Sequence, residues 1–443
     1  MTHRPPLWES PRSWQCPRGL WVVGVACIWA YAFLGIVMDH LGSKTGTLSA
    51  LLGLIAILVY GKTMRRSAAL WLLLAAIVVQ VISWTFGYYH HPQWIADNPQ
   101  VDRLAKLFIF TAVAWWLGGS TRNTLWLWML ALLGFLLAVL LAGPGEWLRG
   151  LEGERVGFGI RNQQHGSMLF GVAFLGLVIF ARRLIMPAGI WVLWRIMIWI
   201  LAMALCVTAI AIGQTRAVWL ALVVALPFAG IIMLAWARWR GTGQRVLRPL
   251  LVGLALGSLL ALVAVWLFGG VLIERITAES SVIYQLAHGN LDAVPYSSIG
   301  IRIHSWIAAF QWIAERPLVG WAGEGRSLVI DHTPWLPEMV KQNFGHLHNF
   351  FIEIWVAYGL LGVSVIAALT FWVGRATWLA WRGGVMPNDI ALFGVAFFVY
   401  WIIVNQFESY DSFWTGVYVH NLVVGGLVTH YWRWRYAKPE EKA

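Results

Sequence analysis

Three positions in this 443-residue chain combine a reactive side chain with a costly setting. His348 stands in His346-Leu347-His348-Asn349, just before the apolar run Phe350 to Val373. If Asn349 opens a helix, the imidazole lies beside the positive end of the helix dipole, which disfavours protonation, and nearby arginines act the same way. A neutral imidazole is the form a general base needs. A polar residue that merely caps a helix fits equally well. Arg216 closes Gln214-Thr215-Arg216, between apolar runs ending at Gly213 and starting at Ala217. Its guanidinium either snorkels to anchor a helix end or offers a fixed, bidentate cation to a phosphate or carboxylate. Arg302, in Arg302-Ile-His304-Ser-Trp306, taken alone reads as a solvated face residue. No metal is expected. His346 and His348 share a face only on a strand, no carboxylate or cysteine pattern completes a site, and His90-His91 and Glu152-Gly-Glu154 are isolated pairs. Asp-x-Asp and P-loop motifs are absent.

The elements that must position these groups are membrane spans. The chain is 59% hydrophobic and only 12% charged, too apolar for a water-soluble globule. Its net charge of +12 is spread in short runs between apolar stretches, which argues for topology signals and against a nucleic-acid face. Cys16, Cys27 and Cys206 suggest neither disulfides nor zinc. Membrane-length runs predict about twelve transmembrane helices, near 19–38, 47–61, 68–86, 104–119, 124–142, 166–181, 190–213, 217–237, 249–269, 349–373, 389–406 and 413–431. The first is expected to stay uncleaved although Ala30-Tyr31-Ala32 resembles a signal-peptidase site. Lys62 to Arg66, Arg122, Arg182-Arg183, Arg238 to Arg248, Arg375 with Arg382, and Arg433 to Lys442 then fall on one side, so both termini are expected to be cytoplasmic. The expected division is 1–269 with nine spans, 270–348 as one long outer loop, and 349–443 with three spans and a short tail. Within the loop, Ser298 to Ile313 has an amphipathic helical pattern suited to a membrane surface, broken by Pro317 and the glycines at 320, 323 and 325. Arg216, Arg302 and Arg161 all fall on the outer face, against the topology bias, which points to an anion there.

These residues resemble the bacterial O-antigen ligases, within the wider group of ligases and polymerases acting on polyprenyl-diphosphate-linked glycans. The resemblance rests on Gln214-Thr215-Arg216 with Ala217-Val-Trp219; on Arg302 with Trp306 followed by Arg316-Pro317-Leu318-Val-Gly320-Trp-Ala-Gly323; on His348-Asn349 with Gly359 and Gly362; and more loosely on Gly157 to Asn162. Glu324 departs from the pattern, where a less charged residue is expected. The resemblance implies an all-α integral membrane fold of the type C glycosyltransferase kind in the bacterial inner membrane, with its site facing the periplasm. It implies transfer of a glycan from undecaprenyl diphosphate to a sugar hydroxyl of the lipid A–core oligosaccharide, with inversion and with no metal or other cofactor. His348 would be the base, Arg216 and Arg302 the cations on the leaving diphosphate, and Arg161, Gln214, Trp306 and Asn349 substrate contacts. The rival within the group is an O-antigen polymerase. A small-anion transporter is the rival from outside it, although no matching pair of broken spans supports one. Protein O-glycosylation fits less well.

Overall fold

The computed structural model describes residues 14–186, 189–239 and 279–437, with isolated positions between 241 and 277. The expected span 249–269, most of the 238–248 basic group, Arg4, Arg12 and the tail from residue 438 fall wholly or largely outside the described residues. Every regular element among the described residues is helical. Seven of these helices are long and apolar enough to cross a membrane, and Gln163–Ile179 and Asn388–Val404 are shorter apolar helices. Large apolar side chains point outward from them: Leu193, Val223, Ile231 and Phe371 are exposed by 78, 70, 65 and 74%. Such surfaces suit lipid and not water, so the chain is a multi-pass membrane protein.

The described residues divide into two compact units: 1–135 with 290–387 and 405–443, and 136–289 with 388–404. In the first, the helix Phe350–Arg382 packs against Ala68–His90 and Trp414–Tyr436. It is broken at Gly359, whose φ of 60° and ψ of −161° leave the helical region. In an unbroken helix the Leu360 N–H would bond to the Val356 carbonyl. Here Leu360 donates to Pro317 O at 2.8 Å, and Val356 O accepts from the Trp321 N–H at 2.9 Å. The Pro317–Trp321 loop thus takes up the backbone groups that the break releases, as an apolar setting demands. Only glycine fits, because a Cβ on Gly359 would come within 2.2 Å of the Leu318 backbone. Ser83, buried in the neighbouring helix, ties both sides together: its hydroxyl donates to Ala357 O at 2.8 Å and accepts from Ala322 N at 3.1 Å.

The amphipathic stretch forms the helix Ser298–Glu315, opened by Ser297, whose side chain accepts from Gly300 N. Its buried face, including Ala308, Ala309 and Trp312, packs against Phe350–Arg382 and Gly325–His332, so protein takes the place of the expected membrane surface. The expected span at 104–119 is not one continuous helix. It divides into the turns Asp102–Ala105 and Lys106–Phe108 and the helix Phe110–Leu117. Asn421 makes this break tolerable, accepting from Phe110 N at 2.7 Å and donating to Lys106 O at 2.8 Å.

In the second unit, Val192–Ile212 packs against Gln163–Ile179, and Arg216–Trp239 against Asn388–Val404. The turn between Ile212 and Arg216 is tight because Gln214 adopts a left-handed conformation, φ 47°.

Candidate active site

The apolar run from Phe350 becomes helical because Asn349 caps it: its Oδ1 accepts from Phe351 N at 3.1 Å and Ile352 N at 3.2 Å. The Asn349 Nδ2 donates to Gln406 Oε1 at 3.0 Å, and Phe350 N donates to Asn405 O at 2.9 Å, so the segment after Val404 is fastened to this helix start. That segment carries Glu408, which is fully buried. Its Oε2 accepts from His348 Nδ1 at 2.9 Å and its Oε1 from His346 Nε2 at 2.9 Å.

His346 and His348 share a face here without lying on a strand, contrary to the expectation from spacing. His348 is left-handed, φ 52°, which turns the chain so that the two rings lie with centroids 3.9 Å apart. An αL histidine costs about 1–3 kcal/mol, a strain that persists only where surrounding bonds fix it.

An ionised carboxylate can only accept, so both facing imidazole nitrogens carry protons. In its neutral form His348 is then the Nδ1–H tautomer, with the lone pair on Nε2. Burial of the imidazole lowers the His348 pKa, outweighing Glu408, which raises it; His346 and Arg302 lower it further. Burial alone would raise the Glu408 pKa, but the hydrogen bonds and charges of the two histidines prevail and hold its carboxyl well below the usual range. The arrangement therefore supports a neutral His348 that can take a proton at Nε2 while a buried anion waits to stabilise the imidazolium.

Arg302 and Trp306 lie one turn apart on the Ser298–Glu315 helix, on a common face. The Trp306 indole N–H donates to Leu347 O at 2.8 Å, which docks this helix on the histidine turn and brings the Arg302 charge within electrostatic reach of His348. Glu353, four residues into the following helix and 3% exposed, supports the same turn. It accepts from Leu347 N at 3.1 Å, from Ser412 Oγ at 2.9 Å and from Arg326 at 3.4 Å. Glu324 is explained by partners: Gln100 donates to it, and Arg103, 3.9 Å away, also donates to Gly323 O.

Arg216, Gln214 and Arg161 belong to the second unit, whereas His348, Asn349, Arg302 and Trp306 belong to the first. Arg216 begins its helix and lies 3.4 Å from the buried carboxylate of Glu279. Gln214 is 5% exposed and donates to Gly153 O at 2.8 Å. Arg155 reinforces the turn, donating to Gly213 O at 3.2 Å. Arg161 is exposed, in a left-handed conformation (φ 38°) just before Asn162, which caps Gln163–Ile179.

Glu408, Glu353, Arg326 and Glu279 were not anticipated. An acidic residue four positions inside a membrane-length apolar helix is expensive, and that was a readable signal for Glu353. Glu408 offered less, one of two carboxylates in a short connection. His346, His348 and Glu408 also form a group whose ligand atoms all lie within 4.8 Å of one another, the geometry of a possible metal site. Both Glu408 oxygens are committed to imidazole N–H groups, so a metal ion would have to displace those protons.

Fold and site together define a multi-pass membrane protein, helical throughout its described residues, with a histidine–carboxylate pair within electrostatic reach of Arg302. Residues 201–367 match the family model described as O-Antigen ligase, a stretch that contains Arg216, Arg302, His348 and Gly359. This match supports membership of the O-antigen ligase/polymerase superfamily, a family of glycosyltransferase-like ligases and polymerases acting on lipid-linked glycans. A search of curated proteins finds no match.

Proposed function

We propose that this protein is an O-antigen ligase, moving a glycan from undecaprenyl diphosphate to a sugar hydroxyl of lipid A–core oligosaccharide at the periplasmic leaflet of the inner membrane. The observation that carries the reading is the Glu408–His348 pair, which leaves the Nε2 lone pair as the site for a proton. The acceptor hydroxyl oxygen attacks the anomeric carbon as its proton passes to His348 Nε2. The bond from that carbon to the diphosphate oxygen breaks, and the diphosphate leaves with the electron pair. Such a base contributes about 10²–10⁴-fold. Arg302, and Arg216 by family resemblance, are assigned to the charge growing on the diphosphate. One displacement inverts the anomeric configuration, and a diphosphate needs no general acid. The twelve-span arrangement with cytoplasmic termini belongs to this proposal, because it puts the histidine turn on the side where both lipid-linked substrates meet.

The test is a lipopolysaccharide gel from cells lacking the protein. Core without O-antigen should accumulate beside lipid-linked polymer. The wild-type gene should restore attachment and His348→Ala should not. A deletion that instead shortens the lipid-linked chains while leaving attachment possible would make the protein a polymerase.

A further inference from the structure

A cavity of about 330 Å³ in the first unit plays no part in the mechanism above. It falls at the lower end of the ~300–1,000 Å³ typical of small-ligand sites, enough for a short segment of a larger ligand. Its walls include Trp94, Trp312, Trp321 and Trp335, with Gln311 and Glu315 as polar groups. The rings are held in place. Trp94 stacks on His91 and on His332, each with centroids 4.6 Å apart, and Trp312 lies 4.6 Å from Trp321.

A tryptophan that anchors a protein at a membrane surface keeps its indole N–H for the headgroup region. Here three of the four spend it on protein: Trp312 on Thr333 Oγ1 at 3.0 Å, Trp321 on Trp312 O at 2.9 Å, and Trp335 on Gln311 Oε1 at 3.1 Å. What remains for a ligand is chiefly the exposed Trp335 ring, above a floor that includes the buried Trp312 and Trp321, with an exposed carboxylate and amide at the edge. Arg316 lies behind this wall, outside the cavity lining. Its guanidinium lies over the Trp321 ring, 4.2 Å from the centroid, and its Nη1 is buried with no hydrogen-bond partner among the described residues.

An acyl chain gains nothing from a carboxylate, and a phosphate would face the charge of Glu315. A pyranose ring matches both features, with a C–H face for the Trp335 ring and hydroxyls for Glu315 and Gln311. We propose that this cavity is a saccharide subsite that holds a sugar segment of a glycan substrate, an inference that rests on the glycosyltransferase reading. The donor polymer and the acceptor core present the same chemistry, so experiment must separate them.

The probes are two lipid-free saccharides from the host lipopolysaccharide, the core oligosaccharide and an O-antigen oligosaccharide. Each is titrated calorimetrically into the full chain in detergent micelles. Wild-type protein and His348→Ala should bind one of them alike, and the one that binds identifies the source. Trp335→Ala, at a residue 41% exposed, should weaken binding roughly tenfold while the protein stays folded. Glu315→Gln should weaken it less. In transfer assays, Trp335→Ala should raise KM for the matching substrate and leave kcat unchanged. If neither saccharide binds wild-type protein, or if Trp335→Ala and Glu315→Gln bind as wild type does, the subsite is refuted. His348→Ala without transfer but with intact binding keeps that outcome separate from failure of the ligase reading.

Discussion

Replacing Glu408 by glutamine removes one charge and almost no volume, so it isolates what the buried carboxylate does. Glu408 is fully buried, and each of its oxygens accepts one imidazole N–H at 2.9 Å. When His348 takes a proton, the new imidazolium faces that anion. Unit charges about 4 Å apart interact by roughly 4 kcal/mol at an effective dielectric of 20, which corresponds to about 10³ in rate. The amide dipole returns part of this. It also adds a tautomer problem. With its NH₂ toward His348, the amide forces Nδ1 to accept, which puts the proton on Nε2 and removes the base; with its oxygen toward His348, the competent tautomer survives. We expect kcat for glycan transfer to fall by about 10²–10³ in Glu408→Gln, with a smaller loss in Glu408→Asp. The assay uses purified protein with lipid-linked donor and lipid A–core acceptor, read on a lipopolysaccharide gel. Because Glu408 raises the His348 pKa, the acid limb of the residual activity should move to lower pH. A folded Glu408→Gln protein with wild-type kcat and an unshifted pH profile would falsify the coupling between the two groups.

Other perturbations test other parts of the account. Transfer requires neutral His348, so its rate should fall as pH drops through a His348 pKa lying below the usual histidine value; Arg302 lowers that pKa, so Arg302→Gln should move the acid limb upward. Arg302→Lys should impair turnover although the charge remains, because an ammonium lacks the bidentate fork; full activity would reduce Arg302 to a surface charge. Gly359→Ala should destabilise the protein by roughly 3 kcal/mol or more in thermal unfolding, combining left-handed strain with the collision against Leu318. Asn349→Ala should cost about 1 kcal/mol through the lost cap, most of it recovered by Asn349→Asp. Activity should survive excess chelator, whereas loss reversed by Mg²⁺ would assign His346, His348 and Glu408 to a metal.

Local features of the site were legible in the sequence because they depend on near neighbours. The cap at Asn349, the Ser298–Glu315 helix and its end at Pro317 follow from residue type and spacing within a few turns. Gly359 could be flagged by its spacing from Asn349, but its cause, the Leu318 backbone, lies some forty residues away. Glu408 was hidden for the same reason, since it meets His348 across sixty residues and its connection shows no pattern. The histidine pair was misjudged because strand periodicity assumes ordinary backbone, and His348 is left-handed. The span at 104–119 looked continuous because hydropathy averages over the window. It registers neither the 3₁₀ turn at Lys106–Phe108 nor the Asn421 side chain that sustains it.

In the proposed mechanism, His348 Nε2 takes the proton of the attacking hydroxyl. The most direct measurement of that step is the single-turnover rate of purified, folded His348→Ala with saturating donor and acceptor across pH. The expected rate is lower by about 10²–10⁴ and no longer shows the acid limb of the wild type. A variant that transfers glycan at the wild-type rate with the same pH dependence would contradict it.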